Sequence, residues 1–80
     1  MEYGIVRERS EGETYLMRRL EDRPSWCLAV AVLVKNPIDD THNWRTENFP
    51  LYSVLWNDVT PVEEGLAEKI LNFNSGVKIK

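Results

Sequence analysis

The feature that most constrains this chain is the apolar run WCLAVAVLV at residues 26–34, ended by Lys35. Its large side chains fall on even positions (Trp26, Leu28, Val30, Val32, Val34) and its small ones on odd positions (Cys27, Ala29, Ala31), with Leu33 the exception. A period of two is the signature of a strand, and β-branched valines favour one. Because both faces are apolar, the run predicts a central strand with something packed on each side. It is too short to span a bilayer as a helix, which takes about 20 residues.

The rest of the chain must therefore supply two coverings, and 80 residues make a single domain, 1–80, to do it. Hydrophobic residues at 42% and charged residues at 29% suit a folded, soluble domain. One cysteine excludes an internal disulfide, and no basic leader followed by a long apolar stretch is present. A reducing cytoplasm is the expected compartment.

Before the run, EYGIVRER (2–9) and TYLMRRL (14–20) read as two arms of a β-hairpin around Gly12, a residue that can take the positive φ of a tight loop. ETYLMRRLED is also built of good helix formers, so a helix over 14–22 stays open as an alternative. Pro24 marks a turn before the central strand. After it, Asn36 and Pro37 end the strand, and residues 36–50 read as a long irregular loop, of a length at which loops are functional or folded onto the surface. FPLYSVLW (49–56) reads as a further strand, with Pro50 at its start or on an edge.

TPVEEGLAEKILNFNSG gives a helix over 61–73: Thr60 as N-cap, Pro61 in the first turn, and Glu63 completing a capping box. Val62, Leu66, Ile70 and Phe73 share one face, with Ala67 and Leu71 at its margin. Asn74 or Gly76 is placed to end the helix, and VKIK to add a lysine-guarded edge strand. The expected fold is α+β: an antiparallel sheet of about four strands with this helix packed on the large-residue face of residues 26–34. The second face is left to the 36–50 loop folding back with Ile38, Trp44 and Phe49, to a second copy forming a homodimer, or to another protein.

Little here supports catalysis, metal binding or a cofactor. His42 is the single histidine, and Asp39, Asp40 and Glu47 around it lack a metal-ligand spacing. Cys27 sits among Leu, Ala and Val with no base beside it, which reads as a buried structural thiol. No glycine-rich phosphate loop, CxxC pair or GxSxG motif occurs.

Charge is more informative. The net charge of −3 argues against a chain devoted to phosphates. Residues 36–59 hold Asp39, Asp40, Glu47 and Asp58 against Arg45 alone, and Glu63, Glu64 and Glu68 follow. With Trp44, Phe49, Tyr52 and Trp56 in the same region, this is the composition of a surface that docks on a basic protein. The leading expectation is a non-enzymatic protein-binding module, an inhibitor or adaptor, with Asp39, Asp40, Trp44, Glu47, Asp58, Glu63 and Glu64 as its binding residues. Small acidic proteins of this kind are common among phage and mobile-element inhibitors of nucleic-acid-handling enzymes, anti-CRISPR proteins being one instance; no motif here names a family. The alternative is a small nucleic-acid-binding protein. It uses Arg7, Arg9 and Arg19, which strand alternation places on the side of Tyr3 and Tyr15 as stacking platforms. Glu2, Glu8, Glu11, Glu13 and Glu21 in the same segment favour cross-strand ion pairs instead.

Overall fold

A computed structural model describes residues 1–9, 12–35 and 37–79, with the backbone alone for 52, 53 and 73–79. The chain is α+β. Strands β1 (Tyr3–Arg7), β2 (Thr14–Arg19), β3 (Trp26–Lys35) and β4 (His42–Leu55) form an antiparallel meander. A single 3₁₀ turn (Trp56–Asp58) then leads to β5 (Thr60–Val62), and helix α1 (Glu64–Ile79) closes the chain. The sheet order is β4-β3-β2-β1-β5, five strands among the described residues rather than about four.

Residues 14–19 pair with both β1 and β3, so the sheet environment overrides their helical propensity. Gly12 takes φ 73° in the hairpin loop, whose Ser10 and Glu11 lie outside the described residues. The expected loop over 36–50 is mostly strand: β4 begins at His42, and the connection is a short turn in which Asp40 adopts φ 63°. Its first residue, Asn36, is outside the described set. Thr41 donates from both its N–H (3.2 Å) and its hydroxyl (2.8 Å) to the Asp39 carboxylate, a local substitute for ladder bonds that frees the chain to re-enter the sheet.

The regular alternation expected along 26–34 breaks in the middle. Leu16 pairs with Ala31 but Met17 with Ala29, leaving Val30 as an extra residue in a β-bulge. Cys27 and Ala29 before the bulge therefore share a face with Val32 and Val34 after it, and no single face collects all the large even residues. On this inner face lie Tyr15, Met17, Cys27, Ala29, Val32, Val54 and Val59, with Val6, Phe49, Leu51 and Trp56 against them. The opposite, helix-covered face holds Leu16, Ala31, Ala67 and Ile70, with Tyr3, Ile5, Val30, Trp44, Val62 and Leu71.

The chain roofs its own inner face. Trp26 pairs with Leu55 and Leu28 with Pro50, so residues 51–54 of β4 stand opposite Cys27 alone. Such an irregularity bends the strand sharply, and Leu51 and Val54 fold inward. Phe49 meets Tyr15 edge to face at 5.8 Å between ring centroids. From Leu55 the chain crosses to the far edge of the sheet, dropping Val59 onto Gly4 before β5 pairs with β1.

The helix begins later than its capping signal suggests. Thr60 and Pro61 are strand residues, because the open edge of β1 offers ladder hydrogen bonds and an edge strand tolerates a residue without an N–H. The Glu63 carbonyl accepts from the Ala67 N–H, which makes Glu63 the residue that leads into α1. The buried stripe is Ala67 and Ile70 with Leu71 half-buried, whereas Leu66 is 47% exposed. Ala67 thus sits at the contact instead of at its margin, where its small side chain lets the helix approach Leu16 and Ala31. The Phe73 side chain lies outside the described residues. The helix runs through Asn74 and Gly76 to Ile79, so 77–79 are helical, not an edge strand; their N–H groups reach carbonyls four residues earlier without a sheet edge. Among the described residues no helix is long and apolar enough to cross a membrane.

Candidate protein-binding surface

The acids that sequence reading groups together are spread over four places. Asp39 and Asp40 sit at the turn into β4, where Lys35 pairs with Asp40 at 2.7 Å. The Thr41 hydroxyl, and then its N–H, hold the Asp39 carboxyl below its usual range. Glu47 lies along β4 and is bound by Arg45 at 2.8 Å. Asp58 accepts from the Leu55 N–H at 3.3 Å in the 3₁₀ turn. Glu63 and Glu64 stand beyond β5, at the opposite edge of the sheet, with the Met1 ammonium 3.6 Å from Glu64. Trp44 belongs to β4 and is half-buried against the helix-covered core, so it acts as a core plug. The Tyr52 side chain lies outside the described residues.

The arginine constellation is also divided. The register pairs Tyr3 with Arg18 and Val6 with Tyr15, which places Tyr3 and Arg7 on one face and Tyr15 and Arg19 on the other. Tyr15 is buried and donates its hydroxyl to Glu13 at 2.8 Å, leaving no ring face for a base. Arg19 bridges both oxygens of Glu2 at 3.2 Å, donates to the Pro24 carbonyl at 2.8 Å and covers the Trp56 ring at 5.4 Å. Arg7 and Arg9 line an open groove of about 480 Å³ with Glu8, Val54, Asp58 and Thr60, and its two acids offset its two bases.

No family model, curated protein or solved structure matches this chain. The surface itself must therefore point to its use.

The structure exposes a surface that sequence reading passed over. Trp26 and Leu55, directly opposite each other on β3 and β4, are 37% and 42% exposed. The next pair on this side is Leu28 and Pro50, and Trp26, Leu28 and Pro50 line one shallow cleft with Leu20, Asp22 and Arg23. This end of the helix-covered face lies outside the core that α1 closes. The only hint in the sequence was that an apolar even row of 26–34 outlasts a helix stripe of three or four residues. Which end stayed open depended on the bulge at Val30.

Cys27 also borders this cleft but belongs to the inner core, 3% exposed, and donates its thiol to the Val54 carbonyl at 3.7 Å. Burial, and secondarily the charge of Asp58, push its pKa up. Stability is then fully present below the unfolded thiol value and falls as pH rises through it, because the unfolded chain ionises first. Urea titrations from neutral to alkaline pH should show this loss, at most about 1.4 kcal/mol per pH unit. Cys27→Ala should remove that slope, and an aromatic disulfide reagent should label the thiol only as the protein unfolds. Among the described residues no three His, Cys, Asp or Glu side chains are grouped as a metal site requires.

Proposed function

We propose that this chain is a non-enzymatic protein-binding module, an inhibitor or adaptor, that docks through the exposed Trp26/Leu55 pair. The observation that supports this reading is the contiguity of Trp26, Leu28, Pro50 and Leu55 on one side of adjacent strands. Single exposed apolar residues are ordinary, but a joined patch headed by a tryptophan has the make-up of a binding hot spot. Asp22 and Arg23 both line the cleft, so its rim carries one charge of each sign and the apolar residues carry the docking. This reading replaces the expected surface of Asp39, Asp40, Trp44, Glu47, Glu63 and Glu64 with an apolar patch in which Trp26 is the aromatic anchor.

The test is quantitative capture from native lysate by immobilised protein, comparing wild type with Trp26→Ser/Leu55→Ser, Asp39→Asn/Asp40→Asn and Arg7→Ala/Arg9→Ala. Loss of a specific partner in the first variant alone, by tenfold or more (about 1.4 kcal/mol), supports the proposal. Equal capture by all four proteins refutes it. A gel shift with single- and double-stranded nucleic acid across salt covers the alternative: binding that falls steeply with salt and vanishes with Arg7→Ala/Arg9→Ala would transfer the function to the arginine groove.

A further inference from the structure

Arg18 stands at the border between the helix-covered core and the open patch. Leu16 lies in the core beneath α1, and strand alternation puts Arg18, two residues on, on that same face. The register sets Arg18 opposite Tyr3 on β1 and opposite Leu28 on β3, and Leu28 in turn opposite Pro50 on β4. Leu20 donates its N–H to the Trp26 carbonyl at 3.1 Å, and Trp26 pairs with Leu55. Two rows therefore cross the sheet here: Arg18, Leu28 and Pro50, and beside them Leu20, Trp26 and Leu55. Of these six residues Arg18 alone is charged.

Arg18 is half-buried, yet among the described residues its side chain makes no ion pair and no hydrogen bond. Arg19, on the opposite face, shows the contrast, with Glu2, the Pro24 carbonyl and the Trp56 ring all engaged. Glu21 and Asp22 line a hollow with Arg18 but form no ion pair with it. Water serves this guanidinium while the patch is open. A protein seated on Trp26 and Leu28 would displace that water, and a charge buried without a counter-charge costs more than the apolar contact around it returns. We infer that the partner of this surface presents an Asp or Glu side chain flanked by large apolar ones, and that Arg18 receives the carboxylate as a bidentate pair. Asp22, in the same hollow, repels a doubly charged phosphate more than a single carboxylate. Tryptophan and arginine side by side are the residues in which binding energy concentrates. The inference rests on the docking function proposed above: the apolar residues carry the docking, and Arg18 selects what docks.

The test is selection of phage-displayed random peptides on the immobilised protein. Wild type should enrich sequences with Asp or Glu close to large apolar residues. Arg18→Gln should keep the apolar preference and lose the acidic one, and Arg18→Glu should enrich Lys or Arg in its place. Circular dichroism checks that both variants keep the fold. A synthetic peptide of the wild-type consensus should bind Arg18→Gln about tenfold or more weakly, whereas the same peptide with its acid changed to the amide should bind both proteins alike. Apolar peptides without an acidic preference, or an acidic preference that survives Arg18→Gln, would overturn this inference and leave the docking surface standing. Peptides that bind Trp26→Ser/Leu55→Ser as well as wild type, or a library that is not enriched at all, would overturn both. In the free protein, Arg18→Leu should melt at or above the wild-type temperature, because leucine joins Leu16, Leu20 and Leu28 and no ion pair is lost. A lower Tm would assign Arg18 to the fold and overturn the inference as well.

Discussion

Gly4→Val should unfold this protein, and Gly4→Ala should lower its stability by about 3 kcal/mol, the upper end for forcing an atom into a filled core. Gly4 lies in the middle of β1, between Met17 and Pro61, and faces the inner core. A Cβ there would collide with Val59 Cγ1 and lie 2.7 Å from the Thr60 carbonyl oxygen. The valine methyl can turn aside, but the carbonyl is backbone held in β5 and cannot. Relief would require β5 to leave β1, lifting Val59 and the 3₁₀ turn off the inner face. A domain of this size has only about 4 to 12 kcal/mol in total, and about 3 kcal/mol corresponds to a fall in Tm of roughly 12 to 24 °C. Thermal melts read this directly. Gly65→Ala is the matched control: nothing lies within 4 Å of its added carbon, and a helical Ala in place of Gly should stabilise by up to about 1 kcal/mol. Adding Val59→Ala to Gly4→Ala should recover only part of the loss, since the Thr60 carbonyl remains. Full recovery would mean that the close approach is to the side chain alone.

Leu16→Ala should cost about 2 to 5 kcal/mol by urea unfolding, while Leu66→Ala should change stability by no more than about 0.5 kcal/mol. Leu16 is fully buried beneath α1, with Ala31, Ala67 and Ile70 around it. Removing its three carbons opens a cavity that strands pinned by ladders on both sides cannot close. Leu66, which helical periodicity alone assigns to the core, is 47% exposed. A large loss from Leu66→Ala with a small one from Leu16→Ala would show the helix rotated by about a quarter turn or more. Met17→Ala reads the other layer. Met17 is also fully buried but faces the inner core, so a cost of about 2 to 5 kcal/mol there would show that the roof built by residues 49–59 is as necessary as the helix.

Much of the architecture was legible because it rests on local rules. The doubly apolar run of 26–34 marks a central strand, Gly12 marks a hairpin loop, and the apolar spacing after Glu63 marks a helix. Each depends on periodicity or on the φ freedom of one residue. Where the helix begins was not local. Thr60, Pro61 and Glu63 satisfy every rule for a cap, yet the free edge of β1 lies within reach and β5 forms there instead. Nor was the continuation of β4 from His42 to Pro50, because HNWRTENF has no apolar alternation and is a strand through pairing with β3.

The candidate site was the least legible part, and the reason is register. A one-residue slip turns a side chain to the other face. The bulge at Val30 sends Val32 and Val34 to the inner face, and the β1/β2 register divides Tyr3 and Arg7 from Tyr15 and Arg19. Trp44 could be named from sequence as an exceptional residue, but only the helix above it makes it part of the core. Trp26 could be named as a strand residue, but only the length of the cover decides that it stays exposed. The sequence by itself determined that this chain must place a two-sided apolar strand inside a sheet, paired on both edges, and pack a helix against that sheet, since periodicity and burial call for both. The tertiary structure decided what roofs the other side, which aromatic remains at the surface and which acids become neighbours. Those outcomes depend on strand order and register, which are set by all the pairings at once.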